Sequence, residues 1–175
     1  MTDQTQRKRI AFYKGADAAP LGEDRMPTEG LTPTVLAGVA KLMAATKPGL
    51  GEEATVLFAE PGDTGMSLVR GWFKSGYILP AHSHKHDCLY YVLAGELRMG
   101  AHVVKAGDGF FLPSNTAYTY EAGPEGVEVL EFRSATRFNI ELKEAPDEKW
   151  DQLAENYRAH TETWEAETVR PSARK

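Results

Sequence analysis

The chain has 175 residues, of which 42% are hydrophobic and 26% charged, and its net charge is −5 at pH 7. This composition predicts one soluble domain whose core needs no disulfides, since there is a single cysteine. The acidic balance argues against nucleic-acid binding, because the longest basic block is Arg7-Lys8-Arg9. No apolar run approaches the ~20 residues of a membrane span, and the polar N-terminus is unlike a secretory signal, so we expect a cytoplasmic protein that avoids membranes.

The chain begins with polar residues up to about position 30, where two prolines and two glycines predict an irregular arm. A short amphipathic helix is predicted over residues 34–46, because apolar residues recur at helical spacing and Pro48-Gly49 ends the pattern. The apolar face of this helix either covers an open sheet edge or docks a second subunit. Its members are Val35, Leu36, Val39, Leu42 and Met43.

Residues 54 to about 142 consist of short β-type runs that glycine, proline, asparagine and aspartate separate. We predict a turn at Ala94-Gly95 between the third run and the fourth. The series is typical of an antiparallel sandwich or barrel. In chain order the runs are Thr55–Phe58, Met66–Phe73, Leu89–Leu93, Glu96–Met99, Val103–Val104, Phe110–Pro113, Tyr118–Tyr120, Val127–Phe132 and Phe138–Leu142.

A second helix is predicted to begin near Pro146, because apolar residues again recur at intervals of three and four as far as Tyr157. The tail over residues 169–175 is expected to be frayed. The chain then divides into an N-terminal arm and helix (1–53), a β-barrel (54–143), and a C-terminal helix and tail (144–175).

Two imidazoles lie one residue apart, at His82 and His84, after an extended segment broken by Pro80. Positions two apart on a strand point to the same face of the sheet. Both rings can therefore converge on one point, as a metal ion requires. The pair is followed by Cys88 and by an aromatic strand that contains Tyr90.

The spacing of Gly76, His82, His84 and Gly95 resembles the first motif of the cupin superfamily, and residues 107–113 are similar to its second motif. The resemblance covers roughly residues 66–133. It implies an all-β fold, a double-stranded β-helix or jelly-roll barrel, here with a helix near each end. It also implies a divalent metal ion, a small-molecule substrate or ligand, and a homodimer.

The metal motif is degenerate, because Cys88 stands where the family has a glutamate and Tyr118 where it has a histidine. Asn115 likewise replaces a glycine of the second motif. His82 and His84 remain the predicted ligands, and a Cys88 thiolate is the third candidate, unless that cysteine is a small buried hydrophobe. His86 or a Tyr118 phenolate is the alternative third ligand. This set does not distinguish iron, zinc, manganese, nickel or copper.

Tyr118 replaces a ligand, so its phenol is expected to point into the barrel and is the first candidate for a catalytic acid or base. Tyr90 shares a strand face with Cys88 and is the second candidate. The alternative for both is a core aromatic ring with a hydrogen-bonded hydroxyl. Arg70 and Trp72 either hold a substrate carboxylate and wall the pocket or lie on the opposite face of their strand.

Two functions follow from these residues. The first is a metal-dependent oxygenase, lyase or isomerase acting on a small organic molecule, which the retained His82 and His84 favour. The second is a non-catalytic module, with or without a metal ion, that binds or senses a small molecule, which the missing glutamate and histidine favour. We take the enzyme as the leading hypothesis.

Overall fold

The computed structural model describes residues 9–62 and 64–174. That part of the chain contains ten β-strands and two α-helices. The mostly β architecture with a helix on either side confirms the predicted fold class. The elements are β1 (Ala19–Pro20), β2 (Thr28–Glu29), α1 (Pro33–Ala45), β3 (Glu52–Ala59), β4 (Thr64–Phe73), β5 (His82–Ser83), β6 (Cys88–Met99), β7 (His102–Lys105), β8 (Gly109–Leu112), β9 (Glu121–Ala135), β10 (Ile140–Leu142) and α2 (Asp147–Ala166).

The strands form two sheets. The larger has the order β1-β3-β4-β9-β6-β7, with β8 also paired to β6, and the smaller has the order β2-β10-β5. An antiparallel bridge between His82 and Tyr118 brings β5 beside the segment that leads into β9. The inner faces of the strands and the inner faces of the helices enclose one aromatic-rich core. β1 and β2 belong to these sheets, so the expected irregular arm is wrong at those four residues.

Helix α1 begins where Thr32 accepts the Val35 N–H at 3.3 Å, and the proline at its first position needs no hydrogen bond there. Its inner face packs on α2 at Gly38, where an added Cβ would lie 2.1 Å from the Trp150 ring. Leu36 and Met43 are exposed, so the predicted apolar face of α1 is only partly buried. Neither helix of the described residues is long and apolar enough to cross a membrane.

Strand β6 is continuous, so the predicted turn at Ala94-Gly95 is wrong. The register of β6 against β9 shifts on either side of Gly95, which marks a β-bulge rather than a reversal. Gly95 has φ 76°, and a Cβ there would lie 2.0 Å from the Gly126 carbonyl oxygen. Glycine is needed because the two strands approach each other too closely for a side chain.

The C-terminal tail is packed against the large sheet, which corrects the expectation of a frayed end for its described residues. A short 3₁₀ turn (Pro171–Ala173) places the Ser172 N–H 3.2 Å from the Glu128 carboxylate. Arg70 and Trp72 line a cavity together with this tail, and the Arg70 Nε lies 3.8 Å from Glu128. They therefore occupy the strand face opposite to the His82 site.

Candidate functional site

His82 and His84 are buried side by side, with 2% and 5% of their surface exposed and their ring centroids 5.0 Å apart. The Nδ1 of His82 lies 2.8 Å from the Pro80 carbonyl oxygen, and the Nδ1 of His84 lies 2.5 Å from the backbone carbonyl oxygen of Asn139. A carbonyl oxygen can only accept, so in both rings Nδ1 carries the hydrogen and Nε2 carries the lone pair.

A series of hydrogen bonds connects His84 to Tyr118, Tyr118 to Tyr90, and Tyr90 to Arg133. The Tyr118 hydroxyl lies 3.2 Å from the His84 Nε2 and 2.7 Å from the Tyr90 hydroxyl, and the Arg133 Nη2 lies 3.3 Å from Tyr90. Because His84 accepts and Arg133 can only donate, the order of donation is fixed. Arg133 donates to Tyr90, Tyr90 donates to Tyr118, and Tyr118 donates to His84. We call these four side chains the phenol chain.

Arg133 forms a buried ion pair with Glu131, whose carboxylate lies 2.5 Å from its Nη1. The guanidinium also lies 4.1 Å from the centroid of the Phe138 ring. Burial opposes the charge of Arg133, but Glu131 and the neighbouring phenols raise its pKa overall, so it stays protonated. Its buried Nε has no hydrogen-bond partner among the described residues.

Strand alternation places these groups inside the barrel. Val127, Val129, Glu131 and Arg133 are buried at every second position of β9. In the register with β6, Arg133 lies opposite Cys88 and Glu131 lies opposite Tyr90. Sequence reasoning missed Arg133, although its parity with the two valines was the signal that could have found it.

The interior keeps its other titratable groups neutral. Burial lowers the pKa of His82 and of His84 to about 4, with Arg133 adding to the effect on His84. Burial raises the pKa of the Cys88 thiol to about 12 and raises the pKa of the Tyr90 and Tyr118 phenols. At neutral pH the imidazole and phenol rings are therefore uncharged and interact through hydrogen bonds. The charged groups beside them are Arg133 and Glu131.

The metal site of His82, His84 and Cys88 stays a prediction, and several features of the described residues argue against a divalent ion there. Within residues 9–62 and 64–174, no three His, Cys, Asp or Glu side chains are grouped to hold one. The His84 Nε2 is used by the Tyr118 hydroxyl, and the Arg133 guanidinium beside this ring repels another cation. Cys88 is 1% exposed, and the Nδ1 of His86 is buried without a hydrogen-bond partner among the described residues.

A separate cavity of about 210 Å³ lies between α1, α2 and the start of β3. Glu52, Tyr77, Pro80 and Tyr157 are among the residues that line it. Sequence analysis did not single out Glu52, because a glutamate at the first position of a strand carries no motif.

No family model and no curated protein sequence matches this chain. Among solved structures, the polyketide cyclase RemF from Streptomyces resistomycificus aligns with a TM-score of 0.54 at 14% identity, over 89% of this chain and 98% of that one. An RmlC-like cupin from Shewanella frigidimarina aligns with a TM-score of 0.43 at 23% identity, over 59% of this chain and 86% of that one. KdgF from Halomonas sp. aligns with a TM-score of 0.46 at 17% identity, over 71% and 94%. RemF is a cupin-fold protein, and the chain has the cupin fold that its motifs predicted.

Proposed function

We propose that this cupin-fold protein binds a small organic molecule in its barrel and acts on it by proton transfer without a resident metal ion. The observation that carries the proposal is the phenol chain, in which every donation has one direction and Arg133 stands at the donating end. Beside it, no donor among the described residues approaches the Nε2 of His82.

The two kinds of group have complementary roles in this proposal. The lone pair on the His82 Nε2 accepts a proton from the ligand, for example from a carbon next to a carbonyl group. The Tyr118 hydroxyl turns from His84 to the ligand oxygen and stabilises the negative charge that develops there. Tyr90 and Arg133 strengthen that donation from behind, because hydrogen bonds in series polarise one another in a low-dielectric interior.

The test is proton exchange in deuterium oxide with three enolisable ketones as probes: acetone, cyclohexanone and acetophenone. We expect the protein to speed deuterium incorporation over buffer for at least one probe, as followed by proton NMR. Tyr118→Phe and His82→Gln should each reduce the rate by about 10²-fold or more, the range of one general acid or base. Tyr13→Phe is the control, since Tyr13 is 52% exposed.

The outcomes separate the two classes of function. Exchange that none of the site variants affects would overturn the roles of His82 and Tyr118, and so would a metal bound at one ion per chain whose removal abolishes exchange. If the probes bind in the barrel but undergo no exchange, the alternative function, a non-catalytic binding protein, is favoured. Metal analysis of the purified protein therefore accompanies the assay.

We also propose a homodimer, formed through the outer face of the large sheet. Phe111, Leu89 and Phe132 lie opposite one another across three strands, and all three are exposed. With Tyr91 and Leu93 they present about 500 Å² of apolar surface, since an aromatic side chain buries ~150–250 Å² and each is about half exposed. That is a large part of the ~800 Å² that each partner contributes to a standard interface.

The face carries no charge in its central row, so a second copy of the same face fits it in a two-fold arrangement. Light scattering after size exclusion should give twice the chain mass, and Leu89→Lys should give a monomer. Leu36→Lys, on the exposed side of α1, is the matched control and should leave the dimer intact. A monomeric native protein would remove this proposal.

A further inference from the structure

We infer that the cavity between α1, α2 and the start of β3 binds a small organic cation, an amine or a quaternary ammonium ion. None of the four side chains of the phenol chain lines this cavity, although the cavity reaches Pro80, whose carbonyl oxygen lies 2.8 Å from the His82 Nδ1. Glu52 pairs with Phe73, which pairs with Val127, whereas Arg133 lies six residues further along β9. The inference therefore stands apart from the proposed function.

The size of the cavity limits the ligand. Its volume is about 210 Å³, somewhat more than the ~150 Å³ of an engineered cavity that holds benzene. It is lined by apolar residues of α1, by the loop over residues 46–50, and by Glu52 with the aromatic residues below it. A trimethylammonium group with a short arm fills such a space.

The charge of the cavity selects a cation. Glu52 is accessible to solvent and lines the cavity. Its polar neighbour is the Tyr77 hydroxyl, and no Lys, Arg or His of the described residues forms an ion pair with it. Burial, together with the charge of Glu131, raises the Glu52 pKa, as expected for a carboxylate without a counter-charge. A bound cation supplies that charge.

The aromatic wall favours a cation of low hydration. Tyr77 stacks on Tyr157 with centroids 5.2 Å apart, and Trp164 lies behind both at 5.5 Å from Tyr77 and 5.4 Å from Tyr157. Gly51 makes room for this cluster, because a Cβ there would lie 2.5 Å from the Tyr77 ring. Aromatic rings attract alkylammonium ions through their negative faces, and the attraction is larger when the ion leaves water.

Lys47 is the basic side chain among the residues that line the cavity, and it is exposed. At the rim it opposes a cationic ligand without neutralising Glu52. Its removal should therefore tighten binding, which gives a second test that does not touch the core.

The experiment uses the full chain at pH 7.5 and two probes of nearly the same shape, choline and its uncharged carbon analogue 3,3-dimethylbutan-1-ol. Isothermal titration should show choline binding at least tenfold more tightly than the alcohol. Glu52→Gln should abolish that preference. Glu162→Gln changes the same charge at an exposed position of α2 and should preserve it. Lys47→Ala should tighten choline binding about threefold, as expected for a rim charge.

A thermal melt of each variant shows whether it is folded. If Glu52→Gln does not fold, the choline affinity of Lys47→Ala still tests the inference. The inference is overturned if neither probe binds, if the two probes bind equally well, or if Glu52→Gln keeps the preference for choline. Unchanged or weaker choline binding by Lys47→Ala also contradicts it.

Discussion

The buried Arg133–Glu131 pair makes the sharpest prediction about stability. Arg133→Met keeps much of the apolar contact with Phe138 but removes the donors to Glu131 and to Tyr90. The carboxylate of Glu131, whose side chain is 11% exposed, is then left in the barrel without a partner. Breaking a buried ion pair on one side costs about 3–5 kcal/mol, so we expect a loss of that size in the free energy of unfolding.

The second half of the prediction is that the pair itself contributes little. Replacing both partners, as Glu131→Leu with Arg133→Met, should restore most of the loss, because two well-packed apolar groups carry no desolvation cost. Urea unfolding at pH 7 of the wild type, both single variants and the double variant gives the coupling energy. If Arg133→Met costs less than ~1 kcal/mol, the pair behaves as a solvated surface pair. If the double variant is as unstable as Arg133→Met, the unpaired charge is not the cause. Either result refutes the reasoning.

Three further predictions concern pH and close packing. Because the folded pKa of His82 and of His84 is about 4 rather than 6.5, the unfolded chain binds more protons between those values. The contribution of these rings to the free energy of unfolding should thus be fully present above pH 6.5 and fall towards pH 4, by up to about 3 kcal/mol per ring. Urea unfolding at pH 7.5 and at pH 5 measures the difference. Equal free energies of unfolding at the two pH values would contradict the prediction. Gly38→Ala should cost about 1–3 kcal/mol in a thermal melt, since its Cβ would meet a tryptophan ring at 2.1 Å; an unshifted melting temperature would show that α1 and α2 separate freely. Gly95→Ala should destabilise more than Gly100→Ala, because both have positive φ but only Gly95 meets a neighbouring carbonyl; equal losses would leave backbone strain as the only cost.

The elements that could be predicted are those whose apolar residues recur at a regular local spacing. The helix pattern around Val35 and the alternation along residues 89–93 depend only on which face is buried, so α1 and the first part of β6 appear where they were expected. Asn115 follows the same logic, since it adopts φ 58° where the motif has a glycine and asparagine tolerates that region.

The site was less predictable because its geometry depends on contacts between distant strands. Tyr118 meets His84 across 34 residues and Arg133 meets Tyr90 across 43, and no local pattern encodes either pairing. The bulge at Gly95 has the composition of a turn, and only the pairing of β6 with β9 distinguishes the two. The motif therefore located the histidines, whereas the arginine that orders their neighbours came from the fold.

The contact between Ser172 and Glu128 has a consequence for the order of events during synthesis. Glu128 lies in the middle of the large sheet with 1% of its surface exposed, and one of its oxygens is satisfied by the backbone N–H of a residue 44 positions later. A nascent chain therefore carries this acid without that donor until Ser172 has left the ribosome. A fusion partner attached directly after Ser172 would therefore lie next to a contact with a central strand.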